Sequence, residues 1–401
     1  MRNRIMPSLA FQKDGQLGED SWHSVLISLL RGLAAFEVAA AHLRAAMYPG
    51  LRTVADPTLA YQGLAFFTGF AHQAVLLFFV ISGWLVGGSL LNKAGQPDAI
   101  ANYAIDRVTR LWTVLIPTFL LTILFSLGTG ETVARGVDFS LGNEFSAVAF
   151  AGNLVGLQGG VALPEFGGNF PLWSLANETW YYVMFPLLVV LFTSRRVGAR
   201  VGSAAALIAM ASALPYDIVL YFSIWLLGVA FSRIRIDAGI VARCVWLLLL
   251  LAVSVYYRLT GINDDIGPAA FVQDLICSLM FLVFLSSLQF KAAPTSKWQR
   301  PLAKVCKFFA EFSFTLYVLH VPLIDLMQYW STTRFGLRQL SPSEPLHFAV
   351  YFGMLAMLMA GCYLAYRLFE SQTYRIRRLV KDSLARRDAA LPAGRTAPAE
   401  H

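Results

Sequence analysis

The chain has 401 residues and a net charge of +8, and it is 57% hydrophobic but only 14% charged. A water-soluble domain runs nearer roughly 45–50% apolar and about 25% charged, so this balance excludes a soluble globular domain. The surplus of basic residues falls in short clusters between apolar runs, which is the arrangement of cytoplasmic membrane loops and not that of a nucleic-acid-binding surface.

The fold class that follows is all-α, a polytopic membrane protein. The first twenty residues, MRNRIMPSLAFQKDGQLGED, are polar and irregular and carry no signal peptide. Residues 1–23 therefore read as a disordered cytoplasmic N-terminus, 24–380 as one transmembrane domain and 381–401 as a disordered cytoplasmic tail rich in Ala and Pro at its end. A crossing needs about 20 apolar residues. Ten stretches qualify, near 27–48, 64–91, 110–128, 171–192, 201–215, 217–232, 241–257, 268–290, 308–330 and 346–369. With the N-terminus inside, 25 of the 32 Lys and Arg residues fall on the inner side, 5 fall on the outer side, and Arg31 and Arg44 lie within the first span. That bias fits ten spans with both termini cytoplasmic. Cys244, Cys277, Cys306 and Cys362 stand far apart with no CxxC pair, so no metal site and no disulfide framework is expected.

The first span, LLRGLAAFEVAAAHLRAAMY, carries four ionisable residues where a lipid-facing helix would carry none. At about 100° per residue, Arg31 and His42 share one face with His42 about 16 Å deeper along the axis. Glu37 and Arg44, seven residues apart, share another face and are placed to pair. Ionisable groups within a membrane mark functional pathways; snorkelling would account for the two arginines but not for His42 together with Glu37. In the second span, AHQAVLLFFVISGWLVGGSLL, His72 lies near the outer end, at headgroup level or in a site, and Ser82-Gly83 suits close helix packing.

Ahead of the third span, NYAIDRVTRLW places Arg107 and Arg110 three apart on one helix face. Such a pair suits a pyrophosphate or phosphorylated ribose, or else simple anchoring at the inner surface. The longest outer connection, about 129–170, ends in PEFGGNFPLW and can cap a cavity; within it, 144–163 reads as re-entrant or interfacial. The fourth span opens FPLWSLANETWYYVMFPLL, where Trp173, Ser174, Asn177, Glu178 and Tyr181 form a polar stripe facing a cavity near the outer mouth. Glu178 is placed to orient or deprotonate a hydroxyl, and Trp173 or Tyr181 to stack on a sugar; an interfacial aromatic belt explains Trp180, Tyr181 and Tyr182 equally well. The ninth span, FSFTLYVLHVPLIDLMQYW, carries Tyr317 and His320, then Pro322 and Asp325. His320 is either a second site residue or a core histidine bonded to a neighbouring helix.

No GxSxG elbow, HExxH or Walker spacing occurs. What remains for chemistry is a histidine base, His42, with arginines for an anionic donor, a pattern that suggests acyl transfer from a thioester of coenzyme A. A transporter using the same buried polar residues is the alternative, although no inverted repeat or matched pair of broken helices supports it.

Six blocks, in order, resemble acyltransferase family 3, the integral-membrane acyltransferases of bacterial polysaccharides and other glycans. RGLAAFEVAAAH resembles its arginine–ten residues–histidine motif, FFVISGWLVG its second-span block, DRVTRLW its RxxR, PLWSLANETWYYVMFP its WSLxxE block, SFTLYVLHVPLI its histidine block, and YRLFESQTYRIRR, with Glu370, its closing segment. The chain departs at Asn177, where many members carry another small or acidic residue, and at Glu37, and it lacks the SGNH hydrolase-like domain fused to some members. The resemblance implies transfer of acetyl or another short acyl group from cytoplasmic acyl-CoA to a sugar hydroxyl. His42 would then be the catalytic histidine, assisted by Glu178, with Arg31, Arg107 and Arg110 holding the donor. Trp173, Asn177, Tyr181, His72, Tyr317 and His320 would line the acceptor side. The expected partners are acyl-CoA, a carbohydrate or glycan acceptor, the lipid bilayer and polysaccharide synthesis or export machinery, with no nucleic acid.

Overall fold

The computed structural model describes residues 7–12, 22–130, 136, 138–262, 266–289 and 299–390. The tail beyond 390, most of the N-terminal arm and residues 131–135 of the outer connection lie outside the described residues.

The apolar runs become helices, as a chain must when no water is present to satisfy its backbone groups. The first helix, α1 (Trp22–Met47), is rich in alanine. Its small face, Ala34, Ala35, Ala39 and Ala40, is buried, which lets neighbouring helices approach closely. A short α2 (Leu59–Phe67) follows, then α3 (Ala71–Ser82), a π-helical turn over Gly83–Gly87 and α4 (Gly88–Lys93). The long α5 (Ala99–Thr129) contains Pro117. After α6 (Ala147–Leu154) come α7 (Leu172–Thr193), α8 (Val197–Ala213), α9 (Tyr216–Phe231), α10 (Ile240–Thr260), α11 (Phe271–Ser287) and α12 (Gln299–Glu311). The bundle closes with α13 (Ser313–Phe335), α14 (Pro345–Leu368) and α15 (Thr373–Ala390).

Among the described residues six helical segments are long and apolar enough to cross a membrane, and a seventh is reached by joining Pro301–Glu311 to α13 across a 47° bend. The other three sequence candidates, α8, α9 and α11, have 17, 16 and 17 residues, at or just below the lower end of the roughly 17–25 residues that a crossing takes. Helix α10 has no buried residue although it is strongly apolar, so it stands on the lipid-facing side of the bundle.

Among the described residues, parts of both terminal stretches are structured. Ser8–Phe11 pairs antiparallel with Ile234–Asp237, Ser8 opposite Asp237 and Phe11 opposite Ile234. At the other end α15 continues past residue 381 to Ala390, held to α5 where Arg377 and Lys381 reach Asp106 at 3.3 and 2.9 Å. In each case a partner distant in sequence supplies the stabilisation that the local composition lacks.

Two glycines determine how the centre packs. A Cβ on Gly83 would lie 2.0 Å from the Trp225 carbonyl oxygen, and one on Gly228 would lie 2.2 Å from that of Val80. The π turn and α9 therefore meet backbone to backbone, confirming the close-packing reading of Ser82-Gly83. Gly83→Ala should lower the unfolding midpoint in detergent sharply, beyond the ~1–3 kcal/mol of ordinary overpacking, because backbone must move. Gly63→Ala, with nothing within 4 Å of the new methyl, should leave the midpoint unchanged or raise it slightly. Equal midpoints for the two variants would contradict this packing account.

Candidate functional site

Four of the ionisable residues that the sequence singles out converge on one cavity of about 270 Å³. Arg31 enters from α1, Arg107 and Arg110 from α5, and Glu178 and Tyr182 from α7, while Ser82 closes it from α3 and Tyr317 from α13. Glu178 Oε1 accepts hydrogen bonds from Ser82 Oγ and from Tyr182 OH. Trp225 Nε1 in turn donates to Ser82 Oγ at 3.2 Å, so the carboxylate is fixed by a buried chain of hydroxyl and indole groups. Arg107 lies over the rings of Tyr103 and Tyr182, 5.9 and 5.7 Å from their centroids, a cation–π arrangement that leaves its N–H fork for a further acceptor.

Arg110 has a different commitment. It pairs with Glu370 at 2.8 Å, and Glu370 Oε2 accepts from Thr315 N at 3.1 Å and Thr315 Oγ1 at 2.6 Å. Three guanidinium groups thus face two carboxylates, leaving the cavity net positive and suited to an anion.

His42 does not line this cavity. Its Nδ1 is 2.8 Å from His320 Nε2, and the two rings stack with centroids 5.0 Å apart. His320 Nδ1 lies 3.1 Å from the Leu316 carbonyl, which can only accept. His320 therefore carries its proton on Nδ1 and presents Nε2 as an acceptor, so a neutral His42 donates from Nδ1 and keeps a lone pair on Nε2. Tyr317, whose ring is 6.0 Å from that of His320, connects the dyad to the arginine cavity. Its hydroxyl is 2.6 Å from Ser174 Oγ.

The loop ahead of α7 holds the dyad from the other side. Phe170 presses edge-on to His42 at 4.8 Å, and Asn169 Nδ2 donates to the Val318 carbonyl at 2.8 Å. That carbonyl lies four residues before Pro322, which has no N–H to give it, so Asn169 replaces the missing helical bond beside His320.

Several expected site residues stand elsewhere. The stripe on α7 does not face an outer mouth: Ser174 and Glu178 open onto the cavity of Arg107 and Arg110. The cause is the preceding connection, which folds along α5 so that Trp112 Nε1 donates to the Leu154 carbonyl at 2.9 Å and α7 begins deep in the bundle. Tyr181 is fully buried against Phe79, Phe222 and Trp225, a core residue. Asn177 is buried, and Trp173 packs on Gly159; neither lines the arginine cavity. His72 sits within the fold, bonded to Asp274 at 2.8 Å, whose other oxygen accepts from Tyr221 OH. Glu37 and Arg44 take separate partners, the N–H of Phe70 and the hydroxyl of Thr68, both at 2.8 Å, so the expected pairing between them gives way to bonds with the turn before α3.

A family profile described as an acyltransferase domain matches residues 25–367. The chain belongs to acyltransferase family 3. No curated protein and no solved structure matches it. With its long apolar helices, this acyltransferase is an integral membrane protein.

The residues that sequence reasoning passed over in this acyltransferase are Tyr182 and Phe170. Tyr182 was readable, being four residues from Glu178 and so on its face of the helix; Phe170 gave no signal before the loop was folded. Asn169→Ala should cost about 1–3 kcal/mol by leaving the buried Val318 carbonyl unsatisfied, read as a lower unfolding midpoint. A midpoint equal to that of the unmutated chain would show that Asn169 does not brace the dyad.

Proposed function

We propose that this acyltransferase moves an acetyl or other short acyl group from acyl-CoA to a hydroxyl of a carbohydrate acceptor, such as an exopolysaccharide or surface glycan. The observation that carries this reading is the line formed by the net-positive arginine cavity, Tyr317 and the His42–His320 pair. An anionic carrier fits the cavity, and the base stands about 16 Å along α1 from Arg31.

Arg107, whose fork is not committed to a carboxylate pair among the described residues, and Arg31 bind the donor's phosphates. Arg110 shares that work with its hold on Glu370. His42 Nε2 takes the proton of the acceptor hydroxyl as its oxygen attacks the thioester carbonyl. The carbon–sulfur bond then breaks, and the proton passes to the leaving thiolate, giving an ester and free coenzyme A thiol. His320 orients His42 and takes up the growing positive charge through their shared hydrogen bond. A positioned base of this kind contributes roughly 10²–10⁴-fold. Glu178, fixed by Ser82 and Tyr182, sets the electrostatics of the donor cavity.

Ten spans, with α8, α9 and α11 completing the count, both termini cytoplasmic and a bacterial inner membrane location complete the proposal. The bias of 25 inner against 5 outer basic residues supports this orientation. Polysaccharide synthesis or export machinery would supply the acceptor.

His42→Ala should abolish release of free thiol from acetyl-CoA by the purified protein while leaving acetyl-CoA binding within about twofold, since only the transition-state interaction is lost. Release at the unmutated rate would remove His42 from the chemistry. Absence of both acetyl-CoA binding and thiol release in the unmutated protein would favour a transporter.

A further inference from the structure

Away from the arginines, a cavity of about 210 Å³ runs between α10 and the bundle face made by α1, α3 and α11. Its polar groups gather at one end. On α3, Gln73 lines it near the helix start, and Leu76, Leu77 and Val80 follow. On α11, Ser278 comes early, with Phe281 and Phe284 beyond it. The His72–Asp274 bond at 2.8 Å sets these two helix starts side by side. Helix α10 runs the other way, because Ile262, just past its end, gives its N–H to Gln273 Oε1 of α11 at 3.1 Å. Ser254, late in α10, therefore joins Gln73 and Ser278, while Leu247 and Leu250 join the apolar end. From Gln73 to Val80 is about 10 Å along the helix at 1.5 Å per residue. The cavity is a slot with a hydrogen-bonding mouth and a hydrocarbon interior.

The mouth is chemically incomplete. Ser278 is 2% exposed, yet its Oγ has no hydrogen-bond partner among the described residues, and neither has the buried Gln73 Oε1. Buried polar groups are almost always paired, and two left unpaired cost stability that a bound partner restores. Gln73 Oε1 only accepts, so that partner must bring an O–H or N–H. Among the described residues no Asp, Glu, Lys or Arg lines the slot, which leaves a phosphate, carboxylate or ammonium there without a counter-charge. We propose that the slot binds a neutral lipid, with one hydrocarbon chain along Val80, Leu250 and Phe281 and an uncharged hydroxylated head, as in a monoacylglycerol, on Gln73 and Ser278. Helix α10 buries no residue of its own, and the chain fills the space between it and the bundle. The assignment stands apart from the acyl-transfer reading and uses none of its residues.

The test uses the full chain in phosphatidylcholine nanodiscs, whose lipid has no O–H or N–H to donate. A monoacylglycerol carrying a diazirine in its chain is photolysed there, and the labelled residues are mapped by mass spectrometry. Labelling of α8, whose Val201 and Ile208 are exposed, reports ordinary bilayer contact. Labelling of the slot residues on α3 and α11 should exceed that level. Monooleoylglycerol at about four times its half-saturating fraction should cut it about fivefold, with α8 little changed, whereas equal amounts of oleate or phosphatidylglycerol should not. Gln73→Leu combined with Ser278→Ala should lower slot labelling about tenfold through the two lost hydrogen bonds. Both replacements remove unpaired buried polar atoms, so the unfolding midpoint should hold or rise. Slot labelling no greater than that of α8, insensitive to monooleoylglycerol, or unchanged in the double variant would overturn the proposal. Equal competition by oleate or phosphatidylglycerol would overturn the neutral head.

Discussion

Glu370 is the buried charge on which the arrangement of the arginine chamber depends. Only 3% of the residue is exposed, and its two oxygens bind two helices: Oε1 takes Arg110 of α5, and Oε2 takes the backbone and hydroxyl of Thr315 at the start of α13. An isolated carboxylate at that depth would cost several kcal/mol, so the pair and its added hydrogen bonds must form together. Their formation fixes the axial register of α5 against α13, and with it the level at which Arg107 faces Tyr317. The closing segment of the chain, which carries Glu370, is thereby part of the site although it is last in sequence.

A second constraint acts higher in the bundle. Pro322 leaves the Val318 carbonyl without its helical donor, and the FGGNF loop can pack there because Asn169 supplies one. Phe170 reaches His42 from the same loop. The two devices together place the cationic chamber and, next to Tyr317, the two stacked histidines.

The sequence made some of this legible and hid the rest for definite reasons. Helices and the membrane class were readable because runs of about twenty apolar residues leave few other structures. Arg31, Arg107, Arg110 and Glu178 were recognisable as charges with no lipid-facing rationale, and the structure gathers all four in one cavity. Periodicity placed the α7 stripe on one face, but it could not choose between neighbouring tyrosines. Tyr182, at i+4 from Glu178, bonds it, while Tyr181 at i+3 turns into the aromatic core. Partners separated by long stretches of chain were invisible: His42 and His320 are 278 residues apart, and His72 and Asp274 are 202 apart. The depth of α7 was also hidden, since it depends on a glycine-rich connection folding back along α5. The three short helices α8, α9 and α11 show the limit of counting by hydropathy, because composition marks an apolar helix without fixing whether its length spans the bilayer.

The central claim is that the arginine chamber holds an acyl-CoA donor. Its most direct test is a titration of the purified chain with acetyl-CoA, comparing the unmutated protein with Arg107→Ala. That substitution is cleaner than any at Arg110, whose loss would also strand Glu370. The account predicts saturable binding, weakened roughly 10- to 100-fold in Arg107→Ala, as expected when a charge-assisted contact of about 1.5–3 kcal/mol is removed. A folded, unmutated protein that shows no saturable binding of acetyl-CoA would contradict it.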